Sequence, residues 1–77
     1  MTRLPRVESR ELIRALERAG FVPKRQQGSH LHLFHASGAI RVTVPVHAGK
    51  TVPAGTLKSI LRDANLSVAD LIRLLES

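Results

Sequence analysis

Four histidines, His30, His32, His35 and His47, are the side chains in this 77-residue sequence best suited to chemistry at neutral pH. Three of them fall in the stretch QQGSHLHLFH, residues 26–35, directly after a Gly-Ser pair. An imidazole can bind a metal, pack in a strand, or carry a proton, because its unperturbed pKa of about 6.5 lets it give and take one near neutrality. Metal binding is poorly served. His30 and His32 share one face of an alternating strand, but a zinc site needs a third and usually a fourth ligand. The chain has no cysteine, no carboxylate lies nearby, and His35 falls on the opposite face of a regular strand. His32 and His35 read as surface strand residues with no special role. His30 differs in its neighbours. Gly28 permits an unusual turn or a close approach to a ligand, and Ser29 adds a hydroxyl and an amide. Among cations such as Lys24, Arg25 and Arg41, His30 could deprotonate a ribose 2′-hydroxyl while those cations hold the phosphate. That chemistry is RNA cleavage without a metal.

The charge balance favours the same class of partner. Twelve Lys and Arg against six Asp and Glu give +6, with a pI near 11.5, a balance that suits polyanions. Between Glu17 and Asp63 there is no carboxylate, while the span holds Arg18, Lys24, Arg25, Arg41, Lys50, Lys58, Arg62 and every histidine. Paired-carboxylate catalysis and carboxylate-bound magnesium would need acids there, so both are disfavoured. No cofactor is expected. With no Trp or Tyr and two Phe, recognition through stacked bases is disfavoured as well. The absence of cysteine removes disulfides and zinc thiolates and fits a reducing cytoplasm. The charged start MTRLPRVESRE has no apolar h-region, and no apolar run approaches the roughly 18 residues of a membrane span. A soluble, cytoplasmic, single domain over residues 1–77 is the expectation, with a thin core.

The elements that must carry these residues can be read from pattern. Residues 9–19 read as a helix, with Ser9 as N-cap, an apolar face of Leu12, Ile13, Leu16 and Ala19, and Gly20 at C′. Residues 21–25 form a short strand whose Pro23 suits a sheet edge. Residues 29–35 and 39–44 alternate around the turn-forming ASG, so they pair as a hairpin. Leu31, Leu33, Ile40, Val42 and Val44 then face the core. His30, His32 and Phe34 face the other way, beside Arg41 and Thr43. Residues 53–64 repeat apolar positions at i, i+3, i+4 and i+7 and stop at Ala64-Asn65. Ser67 and Asp70 make a capping box, with Leu66 and Leu71 as a hydrophobic staple, for a last short helix. The order α-β-β-β-α-α is most economically packed as helices on one face of a three-stranded antiparallel sheet, which leaves the histidine face open. Arg10, Arg14 and Arg18 recur at i, i+4 and i+8 off the apolar stripe of the first helix and form a basic ridge, to be read either as solvated surface or as RNA contact.

Laid end to end, these marks resemble the HicA family of mRNA interferase toxins across residues 10–75. The helix ends in Gly20-Phe21; Gly28-Ser29-His30 follows; then come Val42-Thr43-Val44-Pro45 with His47, and Gly55-Thr56-Leu57 opening a helix that closes in Ile60-Leu61-Arg62-Asp63-Ala64. The resemblance implies an α+β fold like that of the double-stranded-RNA-binding domain, a ribosome-independent endoribonuclease acting on mRNA, and a HicB-type antitoxin that inhibits it. His30 matches the histidine the family uses for catalysis, and His47 a second recurrent one. Leu31 stands where many relatives are polar, a departure that bears on substrate contact more than on chemistry. Gly28, Ser29, Lys24, Arg25, Arg41 and His47 are the expected RNA-binding residues. Two other classes stay open: a non-catalytic RNA-binding module on the same fold, holding structured RNA by shape, and an adaptor whose basic surface docks an acidic protein.

Overall fold

The computed structural model describes residues 3–77; Met1 and Thr2, at the start of the charged N-terminal stretch, lie outside them. The element order is α1 (Ser9–Arg18), β1 (Phe21–Gln27), β2 (His30–His35), β3 (Arg41–Pro45), α2 (Ala54–Ala64) and α3 (Val68–Leu75). The strands form one antiparallel sheet in the order β1-β2-β3. The α+β architecture of the double-stranded-RNA-binding domain is therefore the fold of this chain.

Why the sheet has only one dry face follows from its alternation. Leu33, Val42 and Val44 are buried together with Leu12, Ala15 and Leu16 of α1 and Leu57, Ile60 and Leu61 of α2. Leu31 and Ile40 pack against that cluster from its margin. The residues between them, His30, His32 and Phe34 on β2 and Arg41 and Thr43 on β3, lie on the face away from the helices, where no layer covers them. α3 closes the core with Leu71, which is fully buried. No helix among the described residues is long and apolar enough to cross a membrane.

Local chemistry sets the boundaries, with some differences from the pattern reading. α1 starts one residue earlier than a Ser9 cap would place it: Glu8 is the N-cap, and the Glu11 carboxylate accepts the Glu8 amide at 2.9 Å. Gly20 takes φ +100° and ends the helix as expected. α2 stops at Asn65, which takes the left-handed conformation at φ 60°. Ser67 and Asp70 cap α3 reciprocally; hydrogen bonds from the Ser67 backbone and hydroxyl, then the Arg73 guanidinium, hold the Asp70 carboxyl below its ordinary range. β1 is an edge strand, as Pro23 demands. It runs two residues past Arg25, however, because a bulge between Pro23 and Arg25 absorbs the missing proline N–H and restores pairing through Gln27.

Candidate functional site

The β1–β2 hairpin turns on two residues, Gly28 and Ser29, since Gln27 and His30 are cross-strand partners. Gly28 takes φ +57°, a value Ser29 does not share, so glycine supplies the one left-handed position the turn requires. A Cβ at Gly28 would meet nothing within 4 Å. The demand is thus conformational, and it leaves open space above the turn. Beyond His30, which pairs with Pro45, the β2–β3 ladder gains one more bond, from the Val46 amide to the Ser29 carbonyl at 2.6 Å. The Gly28-Ser29 turn, His30 and the approach to His47 consequently lie at one end of the sheet.

The structure sorts the four histidines by what their ring nitrogens already do. His35 is a packing residue. Its Nε2–H donates to the Ala19 carbonyl at 3.2 Å, and its Nδ1 accepts the Ser37 amide at 3.1 Å. Its ring meets Phe21 edge-on, with centroids 5.0 Å apart. A Cβ on Gly20 would come within 2.9 Å of that ring, so Gly20 serves both the helix end and the seat of His35. The expectation of a surface residue without a role is corrected for His35. His32 is tied too: Nε2 lies 3.1 Å from Gln27 Oε1 and Nδ1 2.9 Å from Thr43 Oγ1. It spans all three strands and fixes their outer face. Every hydrogen bond made by a histidine ring among the described residues belongs to His32 or His35. His30 and His47 keep both nitrogens available, and both are exposed.

Not all the expected site residues gather in one place. Arg25 and Arg41 line one shallow groove of about 120 Å³ with Gln27, His32 and Phe34. His30 stands on the same face, two positions along β2 from His32. Lys24 sits at the bulge and lines a neighbouring hollow with Val22, Phe34 and His35. His47 lines a third cavity, of about 250 Å³, with Glu8, Ser9, Arg10 and Ile13 at the start of α1. Pattern reading placed His32 and Phe34 on this face but missed Gln27, which the register of β1 on β2 brings there. It also misjudged Ser9. That hydroxyl is buried, donates to the Pro45 carbonyl at 2.7 Å and accepts the His47 amide at 3.3 Å. Ser9 anchors the His47 loop to α1.

Ser9→Ala leaves the His47 amide and the Pro45 carbonyl without their partner, which should destabilise the fold by about 1–3 kcal/mol. A thermal melt checks this; an unchanged midpoint would mean that solvent replaces the hydroxyl. The basic ridge is also altered by the fold. Arg18 donates to the Leu74 carbonyl at 2.7 Å, so it joins α1 to the end of α3, while Arg10 and Arg14 remain exposed.

The electrostatics of the sheet are one-sided. All six carboxylates, Glu8, Glu11, Glu17, Asp63, Asp70 and Glu76, lie in the helices or at their caps. The strands carry Lys24, Arg25 and Arg41 with no acid between them. Among the described residues, no three His, Asp or Glu side chains come together as a metal cage. The arrangement is one of an accessible imidazole beside a tight turn, on a cationic face that presents hydrogen-bond donors to an anion.

No curated protein matches this sequence. A family model described as the HicA toxin of bacterial toxin-antitoxin systems matches residues 9–66, which include α1, the whole sheet, the Gly28-Ser29-His30 turn and α2. With that model covering three-quarters of its length and the expected fold in place, this chain belongs to the HicA family of toxins.

Proposed function

We propose that this toxin is a metal-independent endoribonuclease that cleaves mRNA, with His30 as general acid or base. The observation that carries the reading is the state of His30: an exposed ring, with both nitrogens available, beside the Gly28-Ser29 turn on a sheet face without carboxylates. In the reaction, the ribose 2′-oxygen attacks the adjoining phosphorus as a base removes its proton. The bond from phosphorus to the 5′-oxygen breaks, and an acid protonates that oxygen. A 2′,3′-cyclic phosphate and a free 5′-hydroxyl result. One imidazole fills one of these roles in a given step, so a second group is required. His47, the other exposed histidine with an untied ring, or a water molecule serves it. Arg25, Arg41 and Lys24 supply the positive field for the phosphates, and the amides of the turn, Gly28 and Ser29, lie where a phosphate oxygen could approach the backbone.

The family carries an antitoxin partner. Here the partner is a HicB-type protein that lays acidic residues against the sheet face or its rim and blocks access to His30. The site of action is the cytoplasm, where both mRNA and partner are found. Purified protein incubated with a long RNA should cut it at the same rate with and without EDTA. Cleavage abolished by chelator and restored by magnesium would replace this mechanism with a metal-assisted one. Binding with no cleavage in either condition would make the chain a non-catalytic RNA-binding module.

A further inference from the structure

The open sheet face holds one aromatic ring among its cations. Of the two phenylalanines, Phe21 is in the core, 3% exposed, while Phe34 is half-buried at the wall between two surface hollows. Phe34 pairs across the sheet with Arg41, and Arg25 pairs with His32. Arg25, Phe34 and Arg41 therefore line one groove, whose remaining members are Gln27 and His32. The groove is stiff, because His32 is bonded to both Thr43 and Gln27, one on each flanking strand. An accessible aromatic face with a guanidinium on either side is suited to stacking a nucleobase while the cations hold the adjoining phosphates. A duplex offers phosphates but keeps its base faces stacked inside, whereas an unpaired strand offers both. The spacing to the turn is also apt: Phe34 lies four positions along β2 from His30, about 13 Å, close to two nucleotides of an extended strand.

We propose that this groove is a nucleotide subsite for single-stranded RNA, in which an unpaired base stacks on Phe34 and its flanking phosphates lie on Arg25 and Arg41. The subsite holds the strand so that a phosphate about two nucleotides along reaches His30. It rests on the RNA-cleaving reading above and narrows its substrate to unpaired RNA. It runs against the expectation that a chain so poor in aromatics does not stack bases, and it asks only one ring to do so.

The test uses the His30→Ala chain, which keeps RNA intact during measurement, and fluorescence anisotropy at fixed salt with a short unpaired RNA and with the same sequence closed in a duplex. The unpaired RNA should bind more tightly. Adding Phe34→Leu, which keeps apolar bulk but removes the ring, should weaken that binding on the order of tenfold to a hundredfold, while Phe34→Tyr should keep it. Arg41→Gln, at an exposed position, should weaken binding and reduce its salt dependence. Thermal melts establish that each variant is folded. Equal binding by Phe34→Leu, or a preference for duplex, would overturn the subsite even where the unsubstituted protein still cuts RNA. A Phe34→Leu change that weakened only the antitoxin complex would make the groove a protein interface and overturn it as well. If the unsubstituted chain neither bound nor cut any RNA, the reading beneath would fall and the subsite with it.

Discussion

His30→Ala should give a folded protein that still binds RNA and has lost its cleavage activity, with the rate down by about 10²–10⁴-fold, the usual size of a general acid–base contribution. The two halves of that expectation have separate grounds. His30 is exposed and its ring bonds to nothing in the fold, so its removal opens no cavity and orphans no buried partner. Surface changes of that kind stay within about 0.5 kcal/mol. On the proposed reading, binding rests on Arg25, Arg41 and Lys24, which the substitution leaves in place. Expressed without its antitoxin, the variant should no longer arrest growth. Circular dichroism, RNA binding and cleavage measured side by side check all three statements. A folded His30→Ala protein that cut at the parental rate would remove His30 from the chemistry, and His47→Ala would be the next substitution to make.

Leu33→Ala should abolish toxicity by a different route. Leu33 is fully buried in the central strand, between Pro23 on β1 and Val42 on β3. Truncating such a leucine costs about 2–5 kcal/mol through lost burial and the cavity left behind. A domain of this size has about 4–12 kcal/mol of stability in total. The substitution therefore removes a large share of the margin, and the melting midpoint should fall by about 10–30 °C or disappear. Growth arrest alone would not tell the two variants apart; a melt would. A midpoint within a few degrees of the parent would mean that the core closes over the gap, and that the helix layer is not packed on Leu33 as described.

Much of the fold was legible because the relevant signals are local. The alternation of residues 29–35 and 39–44, glycine at the end of α1, Asn65 after α2 and the Ser67–Asp70 box each act over a few residues, so the sequence displays them directly. What escaped were relations between elements. Ser9 has the residue type of a cap, but Glu8 and Glu11 do that work, and the Ser9 hydroxyl instead joins Pro45, 36 residues away. Nothing in the neighbourhood of Ser9 announces that partner. β1 looked finished at Arg25 because Pro23 interrupts it, and only pairing with β2 carries it to Gln27. The histidines show the same division. Sequence set His30 apart by its Gly-Ser neighbours, but the duties of His32 and His35 come from Thr43, Gln27 and Ala19 on other elements. The carboxylate-free span was visible in the sequence; that it contains the whole sheet, with every acid in a helix or at a helix cap, required the topology.

The bonds that secure α1 and the segment before it also bear on the order in which the fold can form. Ser9 bonds to the backbone at residues 45 and 47, the Val7 carbonyl accepts the Val52 amide at 2.8 Å, and Arg18 reaches the carbonyl of Leu74. Each tie joins an early-made segment to one made much later. A chain emerging from the ribosome thus exposes His30 before it can assemble the scaffold around it. Structure dominated by such distant pairings forms late. His30 is therefore made early and seated late, once Pro45, Val52 and Leu74, the partners of the segment before the sheet, have followed it.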